Sequence, residues 1–291
     1  MTIYLLRYGE IGTKSESVRR TFISILIQNI ERMFLKEGKE VIIERTRGRI
    51  FAYADEEVHD IFARTFGLVS YSPVIETTSD KDDILEACNK FWNNKKGSFA
   101  VRARRTGEHP YSSPELAAEA GGAVLEANPE LEVDLTTPDH ELHIEVRNEK
   151  AYLFGDIYPG PGGLPLGSQG KVAAYVENKN DFLATWLMMR RGARAYIVHP
   201  SENRWAELLD DWDPNLKRLG VGSLENLLSV ELPPGIEGIV LGDTLKDLRD
   251  IEHELPIFQP LIGFTDKRVD EFIENISKLN PKALKNIRKE Y

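Results

Sequence analysis

At 291 residues the chain is long enough for two or three domains, each able to bury a core of its own. Hydrophobic residues account for 41% and charged residues for 29%, a balance that is typical of globular proteins and excludes a disordered or fibrous chain. The formal net charge of -10 excludes a protein that coats nucleic acid through its overall charge, although it leaves room for a local basic face.

The start of the chain and its cysteine content limit the function further. Arg7 and Glu10 interrupt the first apolar residues, and no later segment is long and apolar enough to cross a bilayer, so the sequence predicts a cytoplasmic protein without a membrane partner. Cys88 is the one cysteine, which excludes an internal disulfide, a CxxC pair and a metal site built on several thiolates. It lies on the apolar face of a predicted helix, where a thiol is an inert hydrophobe with a raised pKa.

The first 67 residues alternate between strand and helix patterns. In chain order they predict a strand over residues 2–8, a helix over 15–36, strands over 41–43 and 49–53, and a short helix over 58–66. Apolar residues three and four apart, from Val18 to Phe34, give the long helix one buried face. Gly67 ends the short helix. This order is that of a ferredoxin-like β-α-β-β-α unit.

Residues 68–157 predict a second module of mixed α/β character. Its expected strands are residues 68–75, 98–105, 132–135, 141–146 and 151–156, with one helix carrying Cys88 and another running to about Ala127. Ser113 and Pro114 are expected to open that second helix as N-cap and first residue. His140 and His143 are three residues apart on a predicted strand and point to opposite faces, so no metal site is predicted.

Residues 158–170, YPGPGGLPLGSQG, form the clearest boundary, because their glycine and proline content opposes both helix and strand. They are interpreted as a linker or turn-rich loop. The following segment predicts a strand over residues 172–176, a helix over 182–191, strands over 193–198 and 238–241, and a helix from Leu245. This is a Rossmann-like pattern with a parallel sheet. The predicted fold class is therefore α/β and α+β multidomain, with domains at 1–67, 68–157 and 171–291.

Arginines form three groups in the N-terminal half. They are Arg19 and Arg20 on the first helix, Arg45, Arg47 and Arg49 around a glycine turn, and Arg102, Arg104 and Arg105 on one strand. Strand alternation puts Arg102 and Arg104 on one face and Arg105 on the other, so two guanidinium groups can meet neighbouring phosphates. By spacing alone, solvated faces or pairing with the abundant acids are the favoured interpretation.

The segment TGEHPYSS follows the arginines of the predicted strand. His109 and Tyr111 can stack on an unpaired base, and Ser112 and Ser113 can donate to phosphate near a helix N-terminus. These side chains extend the candidate nucleic-acid surface from the strand into the segment that follows it.

Several stretches resemble the tRNA 4-thiouridine synthetase family. LLRYGEIGTKS, FAVRARRTGEHPYSSPELAAEAGGAVLEANP and VDLTTPDHELHIEV resemble its ferredoxin-like and THUMP domains. GGLPLGSQGKV, LATWLMMRRGA, GIVLGDTL and LPIFQPLIGFT resemble its adenylate-forming PP-loop domain. The resemblance covers nearly the whole chain in the family's order. It implies a ferredoxin-like domain, a THUMP domain and a Rossmann-like PP-loop domain.

The resemblance also implies which residues and partners matter. In this family the ferredoxin-like and THUMP domains hold tRNA, chiefly its acceptor end. The candidate RNA contacts on that basis are Arg102, Arg104, Arg105, His109, Tyr111 and Ser112, followed by Lys14 and Arg47. A separate tRNA-modifying enzyme and a second copy of the chain are further candidate partners.

The strand after GKV departs from the family's pattern. Family members have a loop of the type SGGxDS there, whose small residues let backbone amides approach a nucleotide pyrophosphate. This chain instead has Glu177, Asn178, Lys179, Asn180 and Asp181. Glu177 brings negative charge and Asn178 a Cβ where close approach needs none, while Asp181 is interpreted as a helix cap. The PP-loop domain is therefore interpreted as degenerate, without a bound ATP cofactor.

The chain also departs from the family in the residues that the family's sulfur chemistry requires. Its members use a persulfide-bearing cysteine or a cysteine-held iron–sulfur cluster in the catalytic domain, and no cysteine follows Gly170 here. No catalytic residue is therefore predicted. The favoured hypothesis is a tRNA-binding protein that lacks thiolation activity of its own. The alternatives are an ATP-dependent tRNA sulfurtransferase with an external sulfur carrier, and a protein whose acidic C-terminal domain binds a partner protein.

Overall fold

The structure is a computed structural model that describes residues 1–46, 48–55, 58–92, 96–201 and 203–280. Its N-terminal elements, in chain order, are β1 (Thr2–Tyr8), α1 (Glu16–Lys36), β2 (Val41–Thr46), β3 (Arg49–Ala54), α2 (His59–Ala63) and β4 (Leu68–Thr78). This succession confirms the predicted ferredoxin-like order, with a shorter α2 and a longer β4 than the sequence pattern indicated.

The second group of elements is α3 (Lys81–Trp92), β5 (Gly97–Thr106), α4 (Ser113–Ala127), β6 (Leu131–Val133), β7 (His140–Arg147) and β8 (Lys150–Phe154). The remainder comprises β9 (Tyr158–Pro159), β10 (Lys171–Tyr175), α5 (Lys179–Arg190), β11 (Arg194–His199), α6 (Arg204–Leu208), β12 (Lys217–Val221), α7 (Leu224–Ser229), β13 (Ile236–Val240), β14 (Ile257–Phe258) and α8 (Asp266–Leu279). Among the helices of the described ranges, none has the length and apolar composition that crossing a membrane requires.

The chain divides into two compact units, of which the first comprises Met1–Leu5, Phe51–Ala54 and Ser72–Tyr158. Its strands run in the order β3-β1-β4-β8-β7-β5-β6. β8 is antiparallel to β4 and β7, whereas β5 is parallel to β7 and β6, so the strand pairing in this sheet is mixed. Helices α3 and α4 bury their apolar faces against this sheet in a core that includes Trp92, Phe99 and Leu142.

The second unit comprises Leu6–Ile50, Asp55–Tyr71 and the residues from Pro159 onward. Its five-stranded sheet has the order β12-β11-β10-β13-β14, and every neighbouring pair is parallel. This confirms the predicted Rossmann-like sheet. Its core joins Trp186 and Trp212 with Phe66, which comes from the segment just before β4. Residues of the N-terminal segment therefore share one core with the parallel sheet.

The glycine- and proline-rich segment is packed in place as a turn-rich loop. Leu164 and Leu166 are each 3% exposed, and the Leu166 carbonyl accepts a 2.9 Å hydrogen bond from the side-chain amide of Asn29. The Leu164 amide donates to the Arg190 carbonyl at 2.9 Å. Gly163 has a φ of 75°, and a Cβ there would overlap the Arg190 carbonyl, so glycine is required.

Two element predictions are wrong. Ser112, not Ser113, is the N-cap of α4, because it is the residue with extended backbone that precedes the first helical turn. The helix predicted from Leu245 is absent from the described residues 241–256. There the Thr244 amide donates to the Asp247 carboxylate at 2.8 Å, and the Arg249 amide donates to Asp243 at 3.1 Å. These side-chain acceptors take backbone donors that a helix would need.

Candidate nucleic-acid interface

Strand β5 presents Arg102 and Arg104 on the sheet face opposite α3 and α4. Phe99 and Val101 belong to the core beneath those helices, so the intervening positions along β5 point to the other face. In the parallel ladder with β7, Arg102 lies beside His143 and Arg104 beside Glu145. This is the shared face that strand alternation predicted.

The two arginines differ in their hydrogen-bond and ion-pair partners within the protein. The Arg102 guanidinium donates to Glu141 at 3.1 Å and to the Leu135 carbonyl at 2.8 Å, so part of its charge is offset within the protein. Arg104 is exposed and, in the described part of the chain, has no hydrogen-bond or ion-pair partner. Arg104 is therefore the stronger candidate for an external anion.

The segment after β5 contains two stacked rings, those of His109 and Tyr111. Arg105 is exposed and donates to the Gly107 carbonyl at 3.1 Å. The His109 ring stacks on Tyr111, with ring centroids 5.6 Å apart and planes at 15°. His109 is half-buried, and its Nε2 lies 3.2 Å from the Thr106 carbonyl. One face of the imidazole is thus supported by protein.

Tyr111 and Ser112, both predicted RNA contacts, have structural roles in the protein. Tyr111 is 5% exposed, lies in the core with α3 and α4, and donates its hydroxyl to the Ser79 carbonyl at 2.7 Å. Burial raises the pKa of the Tyr111 hydroxyl. Its ring therefore has no free face for a base. The Ser112 hydroxyl oxygen accepts from the Glu115 amide at 3.3 Å and completes a capping box, while its O–H can still donate to a phosphate.

A second basic surface lies between α1 and the β2–β3 hairpin. Its lining is Tyr8, Gly12, Glu16, Arg19, Arg20, Ile23, Arg45, Thr46, Gly48 and Arg49, around an open volume of about 960 Å³. The structure thus brings together two arginine groups that are more than twenty residues apart in the sequence. Lys14 is exposed just before α1, and Arg47 lies outside the described residues. Sequence reasoning listed both groups but had no signal that they meet.

The altered loop after β10 is held by its own side chains. Asn178 is the N-cap of α5 and accepts from the Asn180 amide at 2.8 Å and the Asp181 amide at 3.3 Å. The Asp181 carboxylate accepts from the amides of Glu177 and Asn178 at 3.2 and 3.3 Å. The two side chains form a capping box, in which Asn178 is the N-cap and Asp181 its reciprocal partner inside the helix, so the prediction of Asp181 as the cap is corrected to Asn178.

The end of β13 closes against this loop. The Gly242 amide donates to the Asp181 carboxylate at 3.2 Å, and a Cβ on Gly242 would lie 2.5 Å from the Asp181 nitrogen. Next to it, Asp243 is 1% exposed, pairs with Arg249 and accepts from Gln259 at 3.1 Å. Lys179 pairs with Asp270 at 2.5 Å. Each of these charged groups has a partner within the protein.

Asp181 makes the stability of the second unit depend on pH. Burial raises the pKa of its carboxyl to about 6, against the opposing effect of the amides that donate to it. The unfolded value is about 3.9, so between the two values the folded state holds a proton that the unfolded state has lost. Stability from this group is therefore present at low pH and is lost as the pH rises through about 6.

Asp181→Asn should remove that dependence, because an amide does not titrate. From pH 5 to pH 7 the wild type should lose about 1 kcal/mol of unfolding free energy relative to the variant, measured by urea denaturation at both pH values. Parallel pH profiles for the two proteins would contradict this assignment.

Cys88 lies in the apolar core beside α4. Its place in the core confirms the predicted apolar helical face, and burial raises its pKa to about 12, which disfavours the nucleophilic thiolate. His140 Nε2 lies 3.1 Å from the Lys96 carbonyl, and His143 stacks on Phe154 with centroids 5.1 Å apart. No cluster of three potential metal ligands occurs within residues the structure describes.

Two family sequence models match the N-terminal half. The ThiI ferredoxin-like domain matches residues 3–72, and the THUMP domain matches residues 80–156. A tRNA sulfurtransferase from Thermoplasma volcanium is 36% identical over 326 residues, covering 95% of this chain and 68% of the relative. The chain belongs to the tRNA sulfurtransferase family. A member from Pyrobaculum aerophilum is 30% identical and covers 100% of this chain and 69% of the relative.

The match to this family differs in extent between relatives. The chain spans about half the length of a probable tRNA sulfurtransferase from Methanothermobacter thermautotrophicus, with 38% identity over 208 residues and 52% of that relative covered. The alignment with the Pyrobaculum protein runs over 348 positions, more than the 291 residues of this chain. That family member therefore has residues without a counterpart here.

Two solved structures have a similar fold. PH1313 from Pyrococcus horikoshii is 29% identical, with a TM-score of 0.82 over 95% of this chain and 100% of that one. A 4-thiouridine synthetase, solved in complex with RNA and ATP, is 23% identical, with a TM-score of 0.76 over 96% of this chain and 86% of that one. At 23% identity, the similarity to the 4-thiouridine synthetase shows only that the two chains share a fold. With the two family models, they confirm the predicted ferredoxin-like, THUMP and parallel-sheet architecture.

Proposed function

We propose that this family member binds tRNA through its ferredoxin-like and THUMP domains and does not carry out ATP-dependent thiolation by itself. The observation that carries the first part is the exposed Arg104, which has no partner in the described chain and shares a sheet face with Arg102. An arginine side chain offers a rigid fork of donors suited to phosphate oxygens. Family membership supplies the class of RNA.

The second part of the proposal rests on the loop from Glu177 to Asp181. Its amides already donate to the side chains of Asn178 and Asp181, so they are not free to donate to a pyrophosphate in this conformation. The bulk of Asn178 and Lys179 opposes the close backbone approach that a phosphate cradle needs. The buried Cys88 thiol, with its raised pKa, is a poor sulfur carrier.

Salt dependence of tRNA binding tests the Arg104 assignment. The logarithm of the association constant should fall linearly with the logarithm of salt, and Arg104→Ala should flatten this slope by roughly 0.7–0.9, the value of one phosphate contact. Lys267→Ala is the matched control, since Lys267 is an exposed cation on α8 of the parallel-sheet part. An unchanged slope in Arg104→Ala would remove this residue from the interface.

The acceptor end is the proposed part of the tRNA. A mobility-shift titration should compare intact tRNA with tRNA that lacks its 3′ single-stranded end. Tighter binding of the intact molecule supports this placement, whereas equal affinities would move the interface to another part of the tRNA.

The second candidate function is an ATP-dependent tRNA sulfurtransferase that uses an altered loop and an external sulfur carrier. Relatives named tRNA sulfurtransferase at 30% and 36% identity favour it. Incubation with labelled ATP and saturating tRNA separates the two candidates, because adenylation of tRNA would establish the enzyme. Absence of labelled product, with tRNA bound, supports the binding protein.

A further inference from the structure

A small cavity lies between α1 and the segment that follows α6, within the second unit. Arg32 of α1 and Asp213 are both in its wall. The other residues of the wall are Asn29, Met33, Thr65, Phe66, Leu166, Trp212 and Pro214. The cavity volume is about 10 Å³, close to the roughly 10–15 Å³ that one water molecule requires. The cavity is therefore too small for an organic ligand or a phosphate group.

Asp213 is a buried carboxylate with an incomplete set of hydrogen bonds. It is 1% exposed, and its Oδ1 accepts from the Asn215 amide at 2.9 Å and from the Arg194 guanidinium at 3.4 Å. Oδ2 lies 3.4 Å from Arg194 but accepts no hydrogen bond from the residues that the structure describes. Burial also raises the pKa of this carboxyl. A further donor at Oδ2 would offset the desolvation of the buried oxygen.

Arg32 is a cation in the wall of the same cavity. It is exposed and makes no hydrogen bond or ion pair within the described ranges of the chain, so it does not contact Asp213 directly. The charge of Arg32 still acts on the Asp213 carboxyl, because it opposes the rise in pKa that burial causes, as Arg194 does more strongly. Opposite charges that line one cavity without touching are the arrangement in which a bridging water is expected.

We infer that one ordered water molecule occupies this cavity and joins the Arg32 guanidinium to Asp213 Oδ2 as a water-mediated ion pair. The water accepts from the guanidinium and donates to the carboxylate, and Thr65 and Asn29 offer oxygen acceptors in the wall for its second hydrogen. Three such bonds are the usual number for a buried water. Arg32 belongs to the ferredoxin-like region and Asp213 to the parallel-sheet region, so the bridge fastens one region to the other.

A double-mutant cycle measures the coupling between the two side chains. Arg32→Ala should raise the unfolding equilibrium constant about fivefold in the wild-type background, the upper range for a pair with an exposed member, and less than about twofold in the Asp213→Asn background. Arg20→Ala is the matched control, because Arg20 lies about three turns earlier on α1 and should have the same small effect in both backgrounds. Equal effects of Arg32→Ala in the two backgrounds would overturn the bridge.

Arg32→Met tests the bridge even if Asp213→Asn does not fold. Methionine retains an apolar stem but lacks the charge, so this variant should lose as much stability as Arg32→Ala. Wild-type stability in Arg32→Met would assign the effect of Arg32 to packing and overturn the inference.

A high-resolution crystal structure of the full chain tests the water itself. It should show one water peak at about 2.6–3.2 Å from both Asp213 Oδ2 and a nitrogen of Arg32. A direct ion pair between these side chains, or a cavity without a water peak, would contradict the inference. None of these outcomes depends on RNA binding, so the inference and the proposed function succeed or fail separately.

Discussion

Phe66→Ala should lower the free energy of unfolding of the second unit by about 3–5 kcal/mol, the range for removing a buried aromatic ring. Phe66 is 2% exposed, and its ring centroid lies 5.3 Å from those of both Trp186 and Trp212. Its removal leaves a cavity between the N-terminal segment and the core of the parallel sheet. Urea denaturation followed by tryptophan fluorescence measures the loss, since both indoles report on this core.

Leu35→Ala is the matched control for Phe66→Ala. Leu35 lies near the end of α1 in the same unit and is 78% exposed, so its truncation should change stability by less than about 0.5 kcal/mol. Equal losses in the two variants would mean that Phe66 does not join the two parts of the core. A biphasic transition in the wild type would mean that these parts unfold separately.

Arg64→Ala should cost about 3 kcal/mol, the lower end of the range for breaking a buried ion pair. Arg64 is 2% exposed and donates to Glu37 at 2.9 Å, to the Asp60 carbonyl at 2.9 Å and to the Asp211 carbonyl at 3.1 Å. Without the guanidinium, these acceptors lose their donor. Partial access of the Glu37 and Asp60 carboxylates to water keeps the cost from being larger.

Arg20→Ala provides the comparison for Arg64→Ala. Arg20 pairs with Glu16 on the exposed face of α1, and surface pairs of this kind contribute about 0.3–0.5 kcal/mol. The loss of unfolding free energy should therefore be several-fold larger for Arg64→Ala than for Arg20→Ala. It is obtained from the denaturation midpoints, provided that the dependence of unfolding free energy on denaturant concentration is unchanged. A loss of unfolding free energy below about 1 kcal/mol in Arg64→Ala would contradict the conclusion that these acceptors depend on the Arg64 guanidinium.

Local periodicity was sufficient to predict much of the fold. The three- and four-residue spacing from Val18 to Phe34 predicted α1, and β1 has the predicted bounds of Thr2–Tyr8. The strands around α5 followed from apolar runs separated by a helix pattern, which is why the parallel sheet was predicted correctly. These signals are carried by residues close together in the chain.

Other features depend on contacts that no local pattern shows. Phe66 was predicted as the end of a short helix, whereas its packing is determined by Trp186 and Trp212, more than a hundred residues away. The irregular path after β13 results from side-chain bonds such as those of Asp243 with Arg249. Ser112 and Ser113 are adjacent and chemically equal, so only backbone conformation decides which one caps α4.

In the candidate site, too, some features follow from local sequence patterns and others depend on contacts between distant residues. Alternation along β5 was sufficient to place Arg102 and Arg104 on one face. Tyr111 has the residue type of a stacking platform, but its burial is set by packing with α3 and α4. The second basic surface arises from the juxtaposition of α1 with a hairpin, so its residues were visible in the sequence while their proximity was not.

Incubation of the chain with saturating tRNA and labelled ATP, followed by separation of bound tRNA and measurement of transferred label, addresses binding and chemistry together. The proposed function predicts salt-sensitive retention of tRNA and no label transferred to it. Labelled tRNA, or no retention of tRNA at low salt, would contradict a family member that binds tRNA without adenylating it.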